Sequence, residues 1–199
     1  MSAAVHTLRR RNLRTLALLA GLFLVPLLLA FLTYYGTSWR PLAHVNHGEL
    51  IVPARPLPHT PLELLGPGAP SQGTPFAGKW ALVYVGEGAC DDDCRATLLL
   101  MRQTRLALNT DMGRVTRVFL VTAHCCAYEF LEREHAGLVL VNAQGAAAAA
   151  LLAEFPPARH HTLFVVDPLG NLMMSYDAVK NPRGLLEDLK KLLRLSQIG

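Results

Sequence analysis

Two cysteines, Cys90 and Cys94, stand four residues apart with Asp91, Asp92 and Asp93 between them. A thiol pair at this spacing can close a disulfide, grip a soft metal, or cycle between dithiol and disulfide. If the chain is already helical at the aspartates, positions i and i+4 share a face, so the two sulfurs can meet one metal or each other. A helix start also favours a thiolate through its free N–H groups and dipole, and Asp92 or Asp93 is a natural N-cap. The carboxylates work against the thiolate, unless a bound cation favours every anion around it. Two thiolates suit Cu(I), and an added histidine accommodates Cu(II). The other two cysteines, Cys125 and Cys126, are adjacent, and a bond between them is not expected. They either pack as small hydrophobes or approach Cys90 from a neighbouring strand end.

The elements that must position these residues follow from apolar patterning. The run 79–86 (KWALVYVG) is continuous, apolar and β-prone, as in a buried parallel strand. GEGACDDDC then turns the chain into a helix over about 93–108. There Ala96, Leu99, Leu100, Gln103 and Leu106 can form one face, with Arg95, Arg102 and Arg105 on another. Strands are expected at 114–122, 137–142, 161–167 and 171–176, the last two joined by the tight turn Asp167–Gly170. Residues 143–155 favour helix by propensity, and Asn181-Pro182 opens a last helix striped by Leu185, Leu186, Leu189, Leu192 and Leu193. The order β-α-β-α-β-β-α predicts an α/β sandwich of the thioredoxin type over residues 78–199.

Ahead of that domain, residues 37–77 carry most of the prolines and read as a Pro-rich linker. Residues 15–36 hold no charge, and the stretch Thr15 to Tyr35 spans roughly 30 Å as a helix, about one hydrocarbon core. Arg9, Arg10, Arg11 and Arg14 precede it without any acid, so residues 1–14 read as a cytoplasmic basic stub. The expected layout is a single pass through the inner (cytoplasmic) membrane, N-terminus in, domain in the periplasm. The chain's net charge of +4 comes from those four arginines, and the rest balances at 15 basic and 15 acidic residues. Nucleic acid is therefore not an expected partner.

The segment GKWALVYVGEGACDDDC resembles that of the Sco (SenC) proteins, in which a W-x-L-x-Y-x-G strand leads into C-x3-C. HHTLFVVDPLGNLMM resembles their later strand and turn, which follow a copper-binding histidine. The resemblance covers about residues 60–195. It implies a membrane-anchored assembly factor for cytochrome c oxidase, a metallochaperone rather than an enzyme, that handles a copper ion during maturation of the CuA centre. Its partners would be an oxidase subunit or another assembly factor. The implied metal ligands are Cys90, Cys94 and one of His160 and His161. If redox-active, Cys90 would be the attacking thiol and Cys94 the resolving one. Two alternatives stand beside this: a thiol–disulfide oxidoreductase that keeps oxidase or chaperone cysteines reduced, and a non-catalytic thioredoxin-like interaction module. The sequence departs from the Sco pattern at Asp91 and Arg95, where the family has proline, and at Arg159, where its histidine falls.

Overall fold

The computed structural model describes residues 2–36, 46–59, 61–157 and 161–198. They divide into two units, Met1–His44 and Val45–Gly199. The first is one helix, α1 (Ser2–Gly36), which continues N-terminally through the basic stub. Its segment Asn12–Gly36 has a mean hydropathy of 2.6 over its most apolar window and is long and apolar enough to cross a membrane. Pro26 lies inside it, as lipid-embedded helices tolerate.

The second unit is built on one eight-stranded sheet. The strands are β1 (Glu49–Pro56), β2 (Leu62–Leu65), β3 (Gln72–Gly73), β4 (Trp80–Gly86), β5 (Val115–Val121), β6 (Leu138–Asn142), β7 (Thr162–Val166) and β8 (Asn171–Asp177), in the order β1-β8-β7-β4-β5-β6-β2-β3. β4, β5 and β6 are parallel, and β7 runs antiparallel to β4 and to β8. The helices are α2 (Asp92–Leu106), α3 (Tyr128–Glu134), α4 (Ala146–Glu154) and α5 (Pro182–Leu195).

Strand alternation divides the core in two. Trp80, Leu82, Tyr84, Phe119 and Val121 face Leu98 and Met101 of α2 and Leu185, Leu189 and Leu193 of α5. Ala81, Val83, Val118, Leu120, Phe164 and Val166 face Leu151 of α4 together with Leu57, Phe76 and Phe155. Each large side chain buried in this way is worth about 1.5–3 kcal/mol. These strands therefore form where their sequences are apolar on both faces.

Two expectations change. The region read as a linker contributes β1, β2 and β3 to the sheet, while 37–45 and Thr60 lie outside the described residues. Pro53 and Pro56 do not prevent this, because β1 is an edge strand, where proline is tolerated. Asp188 of α5 secures the segment before β1: its carboxylate accepts from the His47 and Gly48 amides at 2.7 and 3.1 Å and from the Tyr176 hydroxyl. The buried stripe of α2 is also different. It is Cys94, Thr97, Leu98, Met101 and Thr104, and Leu99 and Leu106 are exposed. Threonine can occupy this stripe because its hydroxyl bonds back to the helix, as Thr97 Oγ1 does to Asp93 O at 2.8 Å.

Candidate functional site

The site lies where β4 and β5 end and β7 begins, on one edge of the sheet. β4 stops at Gly86, and the chain turns through Cys90, whose φ of 53° is left-handed. Asp91 caps α2: its Oδ1 accepts from Cys94 N at 2.9 Å. The cap thus precedes Asp92 and Asp93, the expected N-caps, which instead occupy the first helical turn. Cys90 and Cys94 are joined as a disulfide with Cα atoms 5.0 Å apart, and each is 2% exposed. Arg95 donates to Cys90 O at 3.2 Å and stacks on the Phe130 ring at 5.1 Å.

Of the two expected histidines, His161 is among the described residues and His160 is not. The His161 imidazole lies on the Asp93–Thr97 side of α2, mostly buried, at a φ of 64°. Its Nδ1 is 3.1 Å from Thr97 Oγ1 and its Nε2 is 3.3 Å from Asp93 Oδ1. The single Thr97 hydroxyl proton goes to Asp93 O, so Oγ1 accepts and Nδ1 is the donor. Nε2 is then the nitrogen left facing the carboxylate, and the one that could turn to a metal. The acidic field expected from the aspartates is felt next door at Tyr84. Burial first, then the charges of Asp91 and Asp93, push its phenol up to about 12.

The loop after β5 is laced to the Cys90 loop. Gly88 N donates to Ala123 O at 2.7 Å, Thr122 N to Gly86 O at 2.9 Å, and Ala127 N to Gly88 O at 2.9 Å. A Cβ on Gly88 would stand 2.8 Å from Cys125 Cα and 3.0 Å from His124 O. Cys125 and Cys126 sit in this loop with their sulfurs side by side across a cis peptide. Cys125 is exposed, its Sγ 3.4 Å from Tyr128 Oη, and Cys126 packs against the core cluster that contains Cys90 and Cys94. Glu87 and His124 close the outer rim at 3.1 Å.

Three of the four non-glycine residues with positive φ among the described residues, Cys90, His124 and His161, fall on this one edge. Such conformations concentrate at functional sites. The sequence carried the cysteines and the histidine, but Asp93 and Thr97 as the holders of His161 had no signal in it. In the disulfide form, no three His, Cys, Asp or Glu among the described residues are grouped to hold a metal ion. Reduction would release two thiols beside the helix start, a soft donor pair that fits copper.

The family described as "transmembrane-like, thioredoxin-like, C-terminal domain" matches residues 80–196. The chain belongs to that family. Its fold is found again in apo Sco1 from Thermus thermophilus, at 21% identity and a TM-score of 0.56 over 76% of this chain and 99% of that one. Yeast Sco1 with copper bound gives 15% identity and a TM-score of 0.54, covering 70% and 94% of the two chains. A DsbF homologue from Corynebacterium diphtheriae gives 14% and 0.52, covering 79% and 97%. No curated protein matches the sequence. The thioredoxin-like fold is thus the one expected, and the Sco proteins are among its structural neighbours.

Proposed function

We propose that this chain is a membrane-anchored assembly factor for cytochrome c oxidase that receives a copper ion on Cys90 and Cys94 and passes it toward the CuA site. The observation that carries this reading is that Cys90 and Cys94 flank the start of α2 and His161 contacts Asp93 and Thr97 of the same helix. The Sco-like strand and C-x3-C segment and the apolar N-terminal helix support it. Copper is cargo here, and the chemistry is ligand exchange. The reduced pair offers two thiolates at a helix start whose N–H groups favour negative charge. Asp91, Asp92 and Asp93 add a field that favours a cation. His161 would give Nε2 as a third ligand by releasing Asp93, and His160 is the alternative third ligand. On this reading the protein is a single-pass inner-membrane protein with its domain in the periplasm, and its partner is an oxidase subunit or a further assembly factor.

Copper loading of the reduced full chain tests this. Wild type should take up Cu(I) and the Cys90→Ser/Cys94→Ser variant should not; equal copper in both would refute the reading. His161→Ala should weaken Cu(II) binding more than Cu(I), because imidazole is the ligand that accommodates Cu(II).

A second reading, thiol–disulfide exchange, is favoured by one observation: a second cysteine pair, of which Cys125 is exposed, lies in a loop bonded to that of the buried pair. On this reading Cys90 and Cys94 would keep the cysteines of an oxidase or a chaperone reduced. A reduction potential near that of cellular dithiols, together with turnover of a partner's disulfide, would distinguish it from copper transfer.

A further inference from the structure

Away from the cysteines, the structure buries a positive charge without a counter-ion. Arg117 sits within β5 at 4% exposure, its side chain on the same face as Val115 and Phe119. Its Nη2 donates to Ala136 O at 2.6 Å and to His135 O at 3.5 Å. Its Nε and Nη1 have no partner, and among the described residues no carboxylate pairs with it. A buried charge ordinarily has both an ionic partner and its hydrogen bonds satisfied.

The neighbours add to the charge. Arg117 lines a cavity of about 210 Å³ with Arg102 and Arg105 of α2 and with Arg133 and Glu134 of α3. Glu134 is already engaged, 3.0 Å from Arg133 Nε and 4.0 Å from Arg102 Nη1. Arg105 Nε donates to Val115 O at 2.7 Å. Four guanidinium groups therefore meet one carboxylate around a space large enough for a small anion. Burial, then Arg105 and Arg102, bring the Arg117 pKa down to about 10, so the group still carries its charge at neutral pH.

We propose that the cavity between α2, β5 and α3 is an anion site that takes a phosphate group, with Arg117 as its buried anchor and Arg102 and Arg133 at its mouth. The choice of phosphate follows from the donor set. Guanidinium forks pair best with anions that present several oxygens in one plane or tetrahedron. An excess of three positive charges matches a multiply charged oxyanion better than a single carboxylate. The volume suits one phosphate with its waters, free or at the head of a phospholipid. The site stands independently of any chemistry at Cys90 and Cys94.

The test is thermal unfolding of the full chain in uncharged detergent. Sodium phosphate is compared with sodium chloride at equal ionic strength and pH, and nanodiscs of phosphatidylglycerol with nanodiscs of phosphatidylcholine. Binding to the folded state should raise the wild-type midpoint with phosphate or with phosphatidylglycerol; the first assigns the site to free phosphate and the second to a lipid headgroup. Arg117→Met should lose that response while melting no lower than wild type without phosphate, because it removes an unpaired buried charge. Arg102→Gln/Arg133→Gln, whose side chains are exposed, should fold normally and show a smaller rise than wild type. No rise with either probe, or an undiminished rise in both variants, would overturn the proposal.

Discussion

Opening the Cys90–Cys94 bond should cost the fold little. The loop it closes holds only five residues, Cys90 to Cys94. The chain-entropy relation then gives about 2 kcal/mol of stabilisation. Nothing else is lost on reduction, because both sulfurs remain in the core as small apolar groups at 2% exposure. For a unit spanning Val45–Gly199, that energy lowers the melting temperature by about 4–8 °C. The measurement is calorimetry or circular dichroism on the full chain carrying Cys125→Ser/Cys126→Ser, so that only one pair responds. The chain is reduced in denaturant, refolded, and compared with its oxidised form. A fall of more than about 15 °C, or loss of the cooperative transition, would show the bond to be a structural staple and would refute the reasoning. The expected small fall means that the pair can alternate between dithiol and disulfide without unfolding what holds it.

Other outcomes follow from single contacts. Asp91→Ala removes the acceptor for Cys94 N and should cost about 1 kcal/mol in thermal or chemical unfolding, most of it recovered by Asp91→Ser. Gly88→Ala drives a methyl into the backbone at Cys125 and His124; overpacking of about 1–3 kcal/mol should appear in denaturant titration, with the two cysteine loops loosened in hydrogen exchange. His135 is held neutral, its pKa lowered from 6.5 by burial and then by Arg117 and Arg102, with Glu134 opposing. The unfolded chain therefore binds more protons at this group, so its contribution is full above pH 6.5 and lost as pH falls below it. Replacing His135 with Gln should flatten the stability–pH curve over that acidic interval, read by urea titration at successive pH values.

Much of the domain was legible in the sequence because its central strands are buried on both faces. The short, apolar, β-branched-rich runs of β4 and β7, and of β5 apart from Thr116 and Arg117, favour buried strands. The N-terminal strands were not legible, because Pro53 and Pro56 read as linker until an edge position accounts for them. The face of α2 was misread because two of its buried residues are threonines, whose polarity conceals them in a hydrophobicity pattern. α3 is only seven residues long and starts beside the paired cysteines, so no periodicity could reveal it. At the site, the cysteines were legible from type and spacing, and His160 or His161 only through the resemblance to the Sco proteins. Their geometry was not, since it depends on the left-handed turn at Cys90 and on the partners Asp93 and Thr97 across the sheet edge.

The exposed loop at Cys125 has a practical consequence for anyone counting thiols. A reagent added to the reduced, folded chain meets Cys125 at the surface before it reaches the sealed pair beneath. A stoichiometry of labelling would then describe the doorway, and the room behind it would be scored as empty. Site-resolved mass mapping separates them cleanly: cleavage after Lys79, Arg95, Arg117 and Arg133 places Cys90 and Cys94 in one peptide and Cys125 and Cys126 in another.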